Sequence, residues 1–213
     1  MHVIIDASTF SQTGGPRTYV YNLIKYLHEI DKTLKISVIY NSRKFIGTFK
    51  FADEIYIPFH TPLLRLLREH IIIPIIAKIK KANLLHIPKS YAPILRTVPV
   101  VTTLHDLIPL KYPHTETFFA RFYWAIQIRS ALKFADKIIT ISNYSKNEIK
   151  KLQKTKEPIV IYHGHEHIKL SVTPQIDLTE KYILYIGTIK PRKNLINLIN
   201  AFKKVKSVHK DHK

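Results

Sequence analysis

Three groups of residues in this chain have the types and spacing to handle a ligand. Residues 182–197 read YILYIGTIKPRKNLIN: an apolar run, Gly187, then Pro191, Arg192 and Lys193 at the mouth of a helical pattern. A strand there would position the turn, Gly187 would let the backbone come close, and the helix N-terminus would offer unpaired N–H groups and the positive end of a dipole. Arg192 and Lys193 add full charges of the kind that clamp phosphate oxygens. The second group, Thr13-Gly14-Gly15-Pro16-Arg17, follows the first apolar run and opens a helix. A glycine pair permits close approach to a phosphate, although an ordinary tight turn between strand and helix reads the same way. The third is His105-Asp106, directly after VPVVTTL at 98–104. A histidine at the carboxyl end of a strand can pass a proton near neutral pH or hydrogen-bond a substrate hydroxyl. It can also simply cap the strand and bond a neighbouring carbonyl.

Three other features favour plainer readings. His163, His165 and His167 alternate and could imitate a metal site, but Gly164 and Glu166 interrupt them and no fourth ligand is evident, so no metal is expected. Phe118, Phe119, Phe122, Tyr123 and Trp124 fill two helical turns. A helix so aromatic is expected in the core rather than as a base-stacking platform. Residues 63–81, LLRLLREHIIIPIIAKIKK, mix long apolar and basic side chains as interfacial helices do. A core helix followed by a charged surface turn explains the same pattern and is the expectation.

The elements that must position these groups alternate between strand and helix. Strands are expected at 2–6, 35–40, 54–57, 84–87, 98–104, 137–142 and 158–164, each rich in Ile or Val. Helices are expected at 16–30, with Pro16 in the first turn, at 116–135, and at 145–153, where Ser145 and Glu148 have capping-box spacing. Pro74 predicts a kinked or split helix over 62–81. This alternation predicts an α/β fold with a doubly wound parallel sheet covered on both faces. Residues 1–168 form that domain. Polar residues 169–181, with Pro174, read as a linker, and 182–213 supply one strand and one helix of a second domain.

Composition bounds the partners. Of 213 residues 46% are apolar, enough for a sizeable core. Net charge is +19, from 34 Lys and Arg against 15 Asp and Glu, which admits nucleic acid, an anionic membrane surface or acidic small molecules. No nucleic-acid recognition motif accompanies the charge, so nucleic acid is not an expected partner. The absence of cysteine removes disulfides and thiolate metal sites and favours a cytoplasmic or a hot setting, of which the cytoplasmic one is the expectation. The start, MHVIIDAS, does not read as a signal peptide, and the apolar run at 71–77 is too short to span a bilayer.

Taken in order, these segments resemble the group 1, family 4 glycosyltransferases of the GT-B fold. TGGPRTYVYNL is similar to the family's glycine-rich first turn and helix, and PVVTTLHDLIPLKYP to its central strand with the His-Asp pair. ALKFADKIITISNYSKNEI resembles its "AD-x-I-I-T-x-S" stretch, PIVIYHG the strand closing its first domain, and YILYIGTIKPRKNLINLINAF the opening of its donor domain. The last segment resembles a subgroup that includes mannosyltransferases of polysaccharide assembly.

The resemblance implies a Rossmann-like acceptor-side domain and retaining transfer from a GDP- or UDP-linked sugar to a glycan or lipid-linked acceptor. It implies no cofactor and no metal, because basic side chains and helix dipoles neutralise the leaving diphosphate. By position, His105 and Asp106 match the catalytic pair, with His105 near the transferred sugar. Gly14 and Gly15 match the turn near the donor phosphate, and Arg192 and Lys193 the basic pair near the diphosphate. Most of the family's donor domain would lie beyond Lys213, so a second chain supplying that half, peripheral contact with an anionic membrane, and a non-catalytic binding role are the further expectations.

Overall fold

Short runs of Ile and Val become strands because their branched side chains suit a pleated surface buried on both sides. The computed structural model describes residues 1–59, 61–153, 156–165, 182–187, 189 and 191–208. The chain divides into two compact units, Met1–His163 and Gly164–Lys213. In the first unit, β1 (His2–Asp6), β2 (Lys35–Tyr40), β3 (Asp53–Tyr56), β4 (Leu84–Ile87), β5 (Val100–Thr103), β6 (Lys137–Thr140) and β7 (Ile159–Val160) form one all-parallel sheet in the order β3-β2-β1-β4-β5-β6-β7. This is the doubly wound α/β architecture that the alternation predicts.

Alternation along β1 separates two cores. Val3 and Ile5 pack with Val20 and Ile24 of α1 (Gly15–Ile30) on one face. Ile4 joins Leu85, Ile73 and Ile128 on the other. On that second face lie α2 (Pro62–Leu67), a π turn (Arg68–Ile72) and α3 (Ile73–Ile79), then α4 (Ile108–Lys111) and α5 (Phe118–Phe134), with α6 (Asn143–Leu152) following β6. The break expected from Pro74 therefore appears as a π turn just before it. Pro74 has no N–H for the His70 carbonyl four residues back, and the Leu95 N–H takes that carbonyl instead at 3.3 Å.

The structure corrects several local expectations. α6 is capped by Ser142, whose hydroxyl accepts the Ser145 N–H at 3.1 Å, so Ser145 lies inside the helix. The strand expected at 158–164 shrinks to Ile159–Val160, because the chain then turns across the strand ends. Phe118, Phe119 and Phe122 are exposed rather than buried, and residues 182–187 carry no strand. The expected linker at 169–181 lies outside the described residues. No helix among the described residues is long and apolar enough to cross a membrane.

Candidate active site

The sheet order reverses between β1 and β4, and connections leave these neighbours in opposite directions. Their carboxyl ends are the topological switch point, the position at which doubly wound sheets take ligands. The loops after β1, β4, β5 and β7 supply its groups.

After β1, Gly14 takes φ 84° and ψ −151°, a backbone region almost closed to residues with a Cβ, and caps α1 without a side chain. Gly15 begins the helix with ordinary backbone and nothing within 4 Å of where a Cβ would stand. No acidic side chain occupies the first turn of α1, and no side chain caps its N-terminus. Arg17 leans back over Phe45, its guanidinium carbon 5.2 Å from the ring centre.

After β5, the Pro88 carbonyl on the loop that follows β4 lies near enough to the His105 ring to favour its protonated form. The ring's Nε2 is buried and has no hydrogen-bond partner among the described residues. With the proton on Nδ1, the neutral ring would keep a lone pair on Nε2. Burial, then the neighbouring His163, push the His105 pKa below the ordinary value, against the pull of the Pro88 carbonyl and Asp106. The ring is therefore a neutral acceptor rather than a cation, suited to a hydroxyl and not to a phosphate. Ser145 fixes its backbone by donating to the His105 carbonyl at 3.0 Å. Asp106 is exposed, and its carboxylate accepts the Ile108 N–H at 2.9 Å, closing the turn into α4.

Residues that sequence reasoning passed over complete the wall. Tyr19 stands edge-on to His105, with ring centres 4.8 Å apart, and stacks on His163 at 4.9 Å. Its hydroxyl shares a hydrogen bond of 3.1 Å with Thr103 Oγ1, which meets His86 Nε2 at 3.0 Å. Burial and the nearby His105 push the His86 pKa down to about 4. Polar His86 and Thr103 inside the apolar runs LLHI and VVTT were the available signals. His163 contributes to this aromatic wall, and His167 lies outside the described residues. Among the described residues no three metal-ligating side chains gather.

Buried ion pairs brace these strand ends. Asp6, the last residue of β1, accepts from Arg68 at 3.0 Å and from the Tyr91 hydroxyl at 2.8 Å. Glu69 accepts from Lys89 at 2.7 Å, from Arg65 at 3.2 Å, and from Tyr123 and Gln127. Thr102 Oγ1 lies within 3.2 Å of the Ile87, Lys89 and Tyr91 carbonyls. Together these tie the loop after β4, and so Pro88, to the sheet.

In the second unit, Pro191–Lys193 form one 3-10 turn and α7 spans Leu195–Val208. Asn194 between them has φ 54°, and its N–H donates to the Pro191 carbonyl at 3.0 Å. Arg192 lies in this turn, and Lys193 is exposed there.

Comparison with known proteins gives the family. The family described as Glycosyltransferase Family 4 matches residues 13–167. O-antigen chain mannosyltransferase B of Escherichia coli is 28% identical over 133 residues, covering 57% of this chain and 35% of that protein. A crystal structure of a glycosyltransferase from Rickettsia africae ESF-5 aligns with a TM-score of 0.45 and 16% identity, over 76% of this chain and 43% of that one. The chain thus spans about a third of the length of the curated relative it matches.

Proposed function

Because this chain belongs to glycosyltransferase family 4, we propose that it forms the acceptor-side part of a retaining, sugar-nucleotide-dependent hexosyltransferase, mannosyl transfer being the first candidate. The acceptor is a glycan or a lipid-linked glycan, and the donor a GDP- or UDP-linked sugar. The observation that carries the reading is the unpartnered Nε2 of a neutral His105, buried at the switch point, where α1 begins without a side-chain cap.

In this reading Nε2 accepts a hydrogen bond from a hydroxyl of the transferred sugar and fixes its orientation. Tyr19 and His163 provide an aromatic wall against the sugar ring. The Gly14-Gly15 turn admits the donor's phosphate, with the first-turn N–H groups of α1 aimed at it. Arg192 and Lys193 are assigned to the diphosphate. Charge develops on that group as its bond to the sugar breaks, and fixed cations and helix ends there stabilise the transition state more than the ground state. Asp106 acts on His105 through its negative charge and through the turn it closes. Neutralisation of the diphosphate by basic side chains rather than by a bound metal, and a cytoplasmic setting, belong to the same proposal.

The test is a transfer assay with the protein carrying this chain, GDP- and UDP-linked hexoses labelled in the sugar, and a lipid-linked glycan acceptor. Label should reach the acceptor with the donor's anomeric configuration kept and one nucleoside diphosphate released per transfer. An inverted product overturns the retaining mechanism. Acceptor binding without transfer from any donor overturns the enzyme reading in favour of a binding module or one half of a split transferase.

A further inference from the structure

Three aromatic rings from separate parts of the chain meet at the strand ends. Tyr19, in the second turn of α1, stands edge-on to His105 and stacks on His163, and the two imidazoles lie 5.7 Å apart. The Tyr19 ring is half-buried, and its hydroxyl reaches Thr103 Oγ1, on the fully buried last residue of β5. Thr103 in turn meets His86 Nε2 on β4. A hydroxyl has one proton and two lone pairs, so Thr103 can donate to one neighbour while accepting from the other. Burial keeps the Tyr19 phenol above its ordinary pKa and, with the nearby His105, takes His86 down to about 4. All three members of this chain are therefore uncharged at neutral pH.

The chain of bonds joins two parts of the site. Tyr19 lies one turn beyond Gly15, on the helix whose N-terminus is assigned to the donor phosphate. Thr103 lies two residues before His105, whose Nε2 is assigned to the sugar. Val20 and Ile24 already hold α1 to the sheet by apolar packing. Such packing has no preferred direction and tolerates small sliding, whereas a hydrogen bond fixes both a distance and an angle. Burying His86 and Thr103 inside apolar strands costs desolvation that their bonds only offset, so the pair adds geometry more than stability.

We propose that Tyr19 is a positioning residue. Its hydroxyl, held by Thr103 and His86, sets the spacing between the start of α1 and His105, and its ring keeps the His105 and His163 imidazoles in place. This inference rests on the transferase reading for what is positioned, and one arm of its test needs no transfer.

In the first arm, transfer from a nucleotide sugar is compared in Tyr19→Phe, Thr103→Val, Thr103→Ser and the double variant Tyr19→Phe, Thr103→Val. Tyr19→Phe keeps the ring and removes only the hydroxyl, so kcat should fall about tenfold or more while KM for the donor stays within about twofold. Thr103→Val should match it, and Thr103→Ser should restore most of the rate. The double variant should lose no more than the worse single one, because both break the same chain. Wild-type kcat in Tyr19→Phe, equal losses in Thr103→Ser and Thr103→Val, or losses that multiply in the double variant overturn the proposal. The second arm follows the His105 ring by NMR titration of nitrogen-labelled histidines, with His86, His163 and Asp106 present in every variant. Tyr19→Ala should move the His105 midpoint up towards 6.5 as water reaches the imidazole, and Tyr19→Phe should move it less. An unmoved midpoint in a folded Tyr19→Ala protein overturns the proposal. A wild-type protein that transfers from no donor refutes the transferase reading instead, and the titration still decides whether Tyr19 holds His105.

Discussion

At the residue scale, the role proposed for His105 requires its neutral form. A histidine held below its ordinary pKa is harder to protonate in the folded protein than in a free peptide. Transfer should therefore persist as pH falls through 6.5, where an unperturbed imidazole would already be half-charged. It should fail only below the depressed value, as Nε2 becomes a donor. A pH–rate profile checks this; the acid limb should lie below 6.5 and disappear in His105→Asn, and a limb above 6.5 would refute the neutral-acceptor role. The two glycines separate in the same way. Gly14→Ala must place a Cβ at φ 84° and should cost about 1–3 kcal/mol in chemical unfolding. Gly15→Ala meets no protein atom and should leave stability unchanged, so any loss of donor affinity reports a ligand filling that space.

At the element scale, the π turn and the loop after β4 are joined by Glu69 and Lys89. Glu69→Gln would leave the buried Lys89 ammonium without the carboxylate it bonds, a loss of about 3–5 kcal/mol, measured as a lower denaturant midpoint at unchanged slope. Pattern made α1, β2 and β4 legible in the sequence to within a residue or so, because α1 buries one apolar stripe and the two strands are short apolar runs buried on both faces. It could not distinguish Ser142 from Ser145 as the cap of α6, since both precede the same apolar pattern. Nor could it show that the aromatic stripe of α5 faces outward, because spacing fixes which residues share a face and not what that face meets. His105 and the Gly14-Gly15 turn were legible from their place at strand ends. Tyr19 and His163 were not, because stacking between residues 144 positions apart leaves no local mark.

At the scale of the whole molecule, buried neutral histidines make the fold acid-sensitive. The unfolded chain binds protons on His86 near pH 6.5, whereas the folded one resists until about 4. Stability is thus full above 6.5 and is lost as pH falls towards 4, by roughly 3 kcal/mol for this one group. His2, His70 and His105 add in the same direction, burial being the largest cause for each. Asp6 and Glu69 would be raised by burial alone. Arg68 and Lys89 outweigh this and hold them below the usual carboxylate range, so their loss begins only at lower pH. Thermal midpoints between pH 7 and 4.5 should fall steeply in the wild type and less so in His86→Gln; equal slopes would remove His86 as the cause.

The central claim, that the transferred sugar is held against His105 above β1, β4 and β5, is tested most directly by transfer from a nucleotide sugar in the His105→Ala variant, with its melting curve recorded alongside. The expected result is a fall of about a hundredfold or more in a protein that melts as the wild type does. Undiminished transfer by a folded His105→Ala protein would contradict the claim.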